Sequence, residues 1–383
     1  MDISRLSELY KIYKEKSLFG RYITLEKIAP LLKKFESDFE VSLIGYSVKQ
    51  KPIHSVKVGN GPIKILLWSQ MHGNESTTTK AIFDILNVFS TSNSEFKTTL
   101  YNCTLQIIPM LNPDGAERYT RLNANEVDLN RDANDLSQPE SKVLRQCFDA
   151  FQPNYCFNLH GQRTIFGAGD TGKPATLSFL SPSEDQERTV TTTRKKAMTI
   201  ISLINHKLQQ ELPNAIGRYD DGFNINCVGD IFQSLGVPTV LYEAGHYAND
   251  YDREITREYI FKAIYYGLEA ISNEKTLVDR VEHYFAIPEN KKNFYDVIIR
   301  NAKTQSKDAH STDIAIQFKE VLENHTINFV PIVEKIENLD EYFAHYEIDA
   351  KGHLVLDEKN LPLKVANEIV FVMLNNRKIL IKS

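Results

Sequence analysis

The chain has 383 residues, 42% of them hydrophobic and 25% charged, which is ordinary for a globular protein and long enough for one large domain with a small one beside it. With 45 basic and 50 acidic residues the net charge is −5, and no basic tract interleaves with aromatics, so nucleic acid is excluded as an expected partner. The charged start MDISRLSELYKIYKEK lacks the apolar stretch of an export signal, and no run elsewhere is long enough to span a bilayer. A cytoplasmic protein with no membrane partner is therefore expected.

Leu6, Leu9, Tyr10 and Tyr13 recur at helical spacing, so the chain is expected to open on an amphipathic helix, within a helical segment 1–40. A second short helix is expected around Leu31 to Phe35, just after Pro30. Val41 to Val58 alternates as a pair of strands closed by Gly59-Asn60-Gly61. Four apolar runs then read as buried strands: Ile63–Trp68, Thr104–Leu111, Tyr155–Leu159 and Pro238–Tyr242. Helical patterns separate them at Thr78–Phe89, Glu140–Phe151 and Arg194–Leu212, which predicts an α/β fold, a central sheet with helices on both faces. Residues 161–193, rich in Gly, Thr, Ser and Pro, read as one long loop.

A helix over Arg257 to Ile271 is expected to close a catalytic domain spanning 1–275. From 276 to 383, polar stretches between short strand-like runs predict a small accessory domain, β-rich or α+β. It should end in a hairpin, with Glu368–Leu374 and Lys378–Lys382 flanking Asn375-Asn376-Arg377. The four cysteines, Cys103, Cys147, Cys156 and Cys227, show no CxxC spacing and predict buried reduced thiols.

Each of the four buried strands runs into a polar signal. The first leads to His72, the second to Asn112-Pro113-Asp114-Gly115, the third ends on His160 and the fourth on Glu243. Ligands of open α/β sheets bind beyond the carboxyl ends of the strands, so these four polar signals predict a single site. His72-Gly73-Asn74-Glu75 offers an imidazole and a carboxylate where a strand turns into a helix, and His160 on a neighbouring strand completes a His₂Glu set. Catalytic zinc is usually held by three such ligands with a fourth position open for water. This differs from HExxH, in which one helix supplies both histidines.

The order HGNE, LNPDG, RLNANEVDLNR, LHG and YEAG resembles the zinc metallocarboxypeptidases, the bacterial and cytosolic members more than the digestive ones. The resemblance runs from about Val41 to Leu268 and does not reach the residues after 275. It implies a carboxypeptidase-like mixed sheet, one zinc per chain on His72, Glu75 and His160, and a peptide substrate with a free carboxylate. It also implies that Arg121 polarises the scissile carbonyl, that Asn130 and Arg131 grip the terminal carboxylate, that Asp128 supports His72, and that Glu243 is the catalytic glutamate. Such a set matches the needs of peptide hydrolysis: a metal-activated water, a carboxylate to carry its proton, and a fixed positive charge where the oxyanion forms.

The match is looser between Arg218 and Glu243. Tyr219 is the one tyrosine near the place of the family's mobile tyrosine, and a packing residue is an equal reading of it. The position that sets side-chain preference falls near Gly229 or Asp230, and the adjacent Asp220 and Asp221 read more readily as a turn. Two other readings stay open. One is a zinc deacylase of N-acyl amino acids, of the aspartoacylase and desuccinylase type, which shares the HxxE and Asn-Arg logic. The other is a non-catalytic binding protein on the same fold.

Overall fold

The computed structural model describes residues 1–91, 96–274, 277–305, 311–375 and 377–381. Its centre is a mixed eight-stranded sheet in the order β1-β2-β4-β3-β5-β9-β7-β8. The strands are β1 (Glu40–Tyr46), β2 (Pro52–Gly59), β3 (Ile63–Ser69), β4 (Cys103–Ile108), β5 (Tyr155–Gly161), β7 (Leu177–Leu180), β8 (Ile216–Arg218) and β9 (Thr239–Ala244), while β6 (Phe166–Ala168) pairs outside this sheet. β3, β4, β5 and β9 run parallel, so their carboxyl ends share one edge.

Ten helices accompany the sheets among the described residues: α1 (Ile3–Tyr13), α2 (Leu25–Phe35), α3 (Thr77–Phe89), α4 (Lys97–Asn102), α5 (Pro113–Arg118), α6 (Pro139–Phe151), α7 (Thr192–Leu208), α8 (Val228–Ser234), α9 (Glu254–Ser272) and α10 (Val281–Phe285). Strand alternation sorts them onto two faces. Ile65 and Leu67 of β3 join the core of α3, α7 and α9, whereas Leu66 and Trp68 join that of α6 and α8, where Phe148 and Phe232 stack at 4.0 Å. No described helix is long and apolar enough to cross a membrane.

A buried ion pair ties α3 to α9. Arg257 Nη2 lies 2.6 Å and Nε 2.7 Å from the two carboxylate oxygens of Asp84, and both side chains are fully buried. The same guanidinium donates to the carbonyls of Leu18 and Glu15, fixing the N-terminal segment. Without Asp84 the buried guanidinium keeps only Glu254 Oε2, at 3.1 Å, as a charged partner, so Asp84→Ala should cost up to about 3–5 kcal/mol in denaturant-unfolding free energy. A loss below about 1 kcal/mol would mean that the pair does not hold these helices.

Several expected boundaries move. α2 begins at Leu25 and carries Pro30 inside it, because Ile28, Leu32 and Phe35 bury one face of a longer helix. The 161–193 segment holds β6 and β7 as well as loop, and LSFL becomes strand by pairing with both β8 and β9. β8 and α8 lie in the stretch where no element was expected. All four cysteines are free; three are buried, but Cys227 is only half-buried.

Past α10, β10 (Asn290–Lys292) pairs with β6. β11 (Phe294–Ala302), β12 (Thr312–Glu323), β13 (Thr326–Glu337) and β14 (Phe343–Asp349) then form a four-stranded sheet ordered β13-β12-β11-β14. A small sheet of β15 (Val355–Leu356), β16 (Phe371–Leu374) and β17 (Arg377–Leu380) completes a core of its own with Val297, Ile314, Val333 and Val372. The accessory region is thus β-rich. Its last hairpin is shorter than expected: Arg377 pairs with Leu374 and belongs to the strand, while Asn376 and Lys382 lie outside the described residues.

Candidate active site

His72 lies in the turn after β3, and Glu75 sits just ahead of α3, its N–H donating to His72 O at 3.1 Å. Gly73 between them packs against α5, where a Cβ would sit 1.9 Å from the backbone of Gly115, so no other residue fits. His160 and Glu243 are the penultimate residues of β5 and β9 and are register partners in the ladder. Alternation turns both toward the cavity edge while Leu159 and Tyr242 enter the helical core.

His72 Nδ1 lies 2.8 Å from Glu75 Oε1, His160 Nδ1 lies 2.9 Å from Glu75 Oε2, and the two Nδ1 atoms are 3.2 Å apart. Ligand atoms about 2.0–2.1 Å from a tetrahedral zinc are separated by about 3.3 Å, so these three are spaced as neighbours on one ion. The donor chemistry agrees. His72 Nε2 is 3.0 Å from Asp128 Oδ1, an arrangement that keeps the proton on Nε2 and leaves the Nδ1 lone pair bare. That lone pair, the His160 Nδ1 beside it and the Glu75 carboxylate form a donor set that suits a cation. The residues fit the metal.

Asp128 is the hub behind this centre. Besides His72 it accepts from Arg121 Nε at 2.9 Å and from the backbone N–H of Asn130 at 2.9 Å. One carboxylate thus orients a ligand imidazole, an arginine and the short 3₁₀ turn Leu129–Arg131. Burial opposes its ionisation, but His72 and Arg121 outweigh it and hold its pKa well below the carboxylate range. Arg121 Nη1 reaches to 3.2 Å from His72 Nδ1 and 3.4 Å from Glu75 Oε1, with the side chain still partly in solvent.

Asn130 Oδ1 accepts from Val228 N–H at 3.1 Å, so the side-chain NH₂ is the end left to a ligand. The exposed Arg131 is steadied by its Nη1, which donates to Asn130 O at 2.7 Å and to Cys227 Sγ at 3.1 Å. Tyr219 packs edge-on against Phe166 at 5.3 Å; burial, Glu243 and Glu75 all push its phenol pKa up, so it stays a proton donor.

Glu75 and Glu243 are driven apart. Burial raises Glu75, but His72 and His160 outweigh that and keep it ionised. Burial also raises Glu243, the Glu75 charge adds to it, and Oε2 has no hydrogen-bond partner. The two carboxylates thus have opposed shifts, the pattern of a site that separates an ionised group from a proton-holding one.

The predicted ligand, catalytic and substrate-binding residues line a single cavity of about 650 Å³, with Asp128 behind them; the remaining polar signal, Asn112-Pro113-Asp114-Gly115, stays outside it, because Asn112 is buried capping α5 and bonding Met71 O. Gly229 and Asp230 line the cavity too, and burial pushes the Asp230 carboxyl up to about 7. Asp221, by contrast, is committed to Arg194 at 2.6 Å and is part of the framework. Asn158 was missed: it is fully buried, lines the cavity and has both side-chain polar atoms unpartnered. Its position two before His160 on one strand was the available signal. Arg253, which donates to Ala244 O at 2.6 Å and to Gln162 O, and the lining residues Asp296, Phe318, Lys319, Glu320 and Phe329 carried no signal at all.

Residues 25–222, more than half of the chain, match the family described as zinc carboxypeptidase. The chain belongs to the zinc carboxypeptidase family. The matched span of this family member holds His72 through Tyr219 and ends before Glu243. Its fold is that of a metallo-carboxypeptidase from Burkholderia cenocepacia, at a TM-score of 0.52 and 16% identity over 66% of this chain and 70% of the other. A probable carboxypeptidase 2 of Arthroderma benhamiae is 26% identical over 113 residues, 29% of this chain and 21% of that protein. A gamma-D-glutamyl-L-diamino acid endopeptidase 1 of Lysinibacillus sphaericus is 38% identical over 80 residues, 19% of this chain and 20% of that protein. This member of the zinc carboxypeptidase family therefore matches about a fifth of the length of these curated relatives.

Proposed function

We propose that the chain is a zinc-dependent carboxypeptidase that removes the C-terminal residue of a peptide, with one zinc held by His72, Glu75 and His160. The observation that carries this reading is the convergence of two imidazole Nδ1 atoms and a carboxylate within 4.8 Å, in one cavity with Glu243, Arg121 and Arg131. When bound, zinc supplies Lewis acidity, which acidifies water and polarises a carbonyl.

The rest is the work of side chains. Glu243 takes the proton from the attacking water and returns it to the leaving amine, a task suited to a carboxylate whose proton affinity burial has raised. Arg121, held by Asp128, adds fixed positive charge where the oxyanion develops. Arg131 offers two parallel N–H groups to the substrate's terminal carboxylate, with the Asn130 amide beside it. Tyr219 presents a protonated phenol to the substrate from the cavity wall.

Matched peptides ending in a free acid or an amide test this directly. The amide lacks the charge that Arg131 pairs with, a loss worth about 2–5 kcal/mol, so it should be cleaved about 30-fold to several thousand-fold more slowly. Arg131→Ala should erase most of that gap by slowing the free acid, and Arg131→Lys should recover only part of it. Equal rates on both twins would remove the carboxylate anchor. Cleavage of N-acyl amino acids with every peptide inert would make the enzyme a deacylase.

A further inference from the structure

Successive contacts run through the cavity from one end to the other. Arg131 and Asn130 connect through Asp128 to His72 and Glu75. Glu75 Oε2 accepts from Gly161 N–H at 3.0 Å, Gly161 pairs with Ala244, and Ala244 O accepts from Arg253. Beyond Arg253 the wall is no longer built by the sheet that carries the metal ligands. It comes from β12 and β13, pinned in place by buried polar contacts: Asp296 accepts from Tyr251 Oη at 2.8 Å and Phe318 N–H at 2.7 Å, and Glu320 pairs with Arg21 at 2.9 Å. Gln317 Nε2 bonds Thr164 Oγ1 at 2.7 Å, which ties β12 to the loop after His160.

Glu320 attracts Arg253 as well as Arg21, but the contact ion pairs at this end leave cations over. Both carboxylates have internal partners: Glu320 takes Arg21 and the Tyr119 hydroxyl, and Asp296 takes Tyr251, Thr164 and a backbone amide, with burial pushing its carboxyl up to about 6. Three cations have no ion pair: the buried Arg253 and the exposed Arg163 and Lys319. Among the described residues no carboxylate lies within ion-pair reach of Arg163, Arg253 or Lys319, though all three line the cavity. Arg253 is almost fully buried and bonds only two carbonyl oxygens, leaving its Nε–H without an acceptor. A buried guanidinium in that state favours an anionic ligand. The neighbouring rings of Tyr251, Phe318 and Phe329, 5.1 and 5.3 Å between centroids, suit the methylene stem of an acidic side chain.

The geometry points to a second anion subsite at this end, formed by Arg253, Arg163 and Lys319, so that the substrate carries a carboxylate on the acyl side of the scissile bond as well as at its C-terminus. This rests on the carboxypeptidase reading for the direction in which the substrate lies. The accessory sheet then has a role in the reaction: it supplies Lys319 and the aromatic floor of that subsite.

The test compares free-acid peptides that differ only in Glu against Gln at the first or second residue before the scissile bond. The preference is read twice: as kcat/KM of the wild type, and as Kd for the Glu243→Gln variant by calorimetry. Glu should be favoured about tenfold or more at one of the two positions, and the ratio should shrink in Lys319→Gln and Arg163→Gln and further in the double variant. Equal kcat/KM and equal Kd for the Glu and Gln peptides would overturn the subsite. An undiminished ratio in the double variant would overturn its assignment to these residues. A Glu preference in Kd with no hydrolysis of any peptide would keep the subsite and remove the carboxypeptidase reading.

Discussion

Glu243→Gln should lower kcat by about 10²- to 10⁴-fold while leaving KM within a few-fold and zinc content unchanged. The amide keeps the shape of the carboxylate but cannot accept a proton. Glu243 is not among the three clustered donor residues; it sits on the neighbouring strand as the direct register partner of His160. Its Oε2 has no hydrogen-bond partner, so the isosteric amide breaks no bond at that atom. Steady-state kinetics on a good free-acid peptide, beside elemental analysis of the same preparation, decides the matter. Turnover within about threefold of wild type would assign the proton to another group.

The second large effect concerns the metal itself. Purified wild-type protein should carry about one zinc per chain, and His72→Ala, Glu75→Ala and His160→Ala should each lose it or bind it far more weakly. Each substitution removes one of three atoms that the fold brings within 4.8 Å. Asp128→Asn should act at one remove, lowering zinc affinity about 10- to 100-fold, because the amide lacks the charge that favours a proton on His72 Nε2 and has one acceptor oxygen where the carboxylate uses two, for His72 and Arg121. Competition with a chelator measures all four variants without recourse to activity. Full zinc occupancy in the three alanine variants would place the ion elsewhere.

The two effects are separable because the elements are. His72 and Glu75 come from the β3–α3 turn, His160 from β5 and Glu243 from β9. Losing a ligand should empty the centre, whereas changing Glu243 should leave it loaded but slow. The anion subsite adds a third independent element, since β12 can be altered without touching any of these strands.

The sequence by itself determined the parts that local chemistry specifies. Short apolar runs marked β3, β4, β5 and β9, and their parallel pairing puts their carboxyl ends on one edge; of the four polar signals there, His72, His160 and Glu243 reach the cavity. The HxxE spacing across Gly73 was legible because a strand turning into a helix can aim both side chains at one point, and His160 on the next strand completes the set. Tertiary structure decided what long-range contact specifies. Pro30 sits inside a helix because burial of Ile28, Leu32 and Phe35 outweighs one missing hydrogen bond. LSFL is a strand only because β8 and β9 lie on either side of it. The far wall of the cavity was invisible for the same reason: Lys319 and Phe318 reach it from an alternating strand whose pattern encodes its own sheet and carries no trace of the loop 162–166 against which it docks. Periodicity reports which face of an element is buried; which other element covers that face is settled only when the chain has folded.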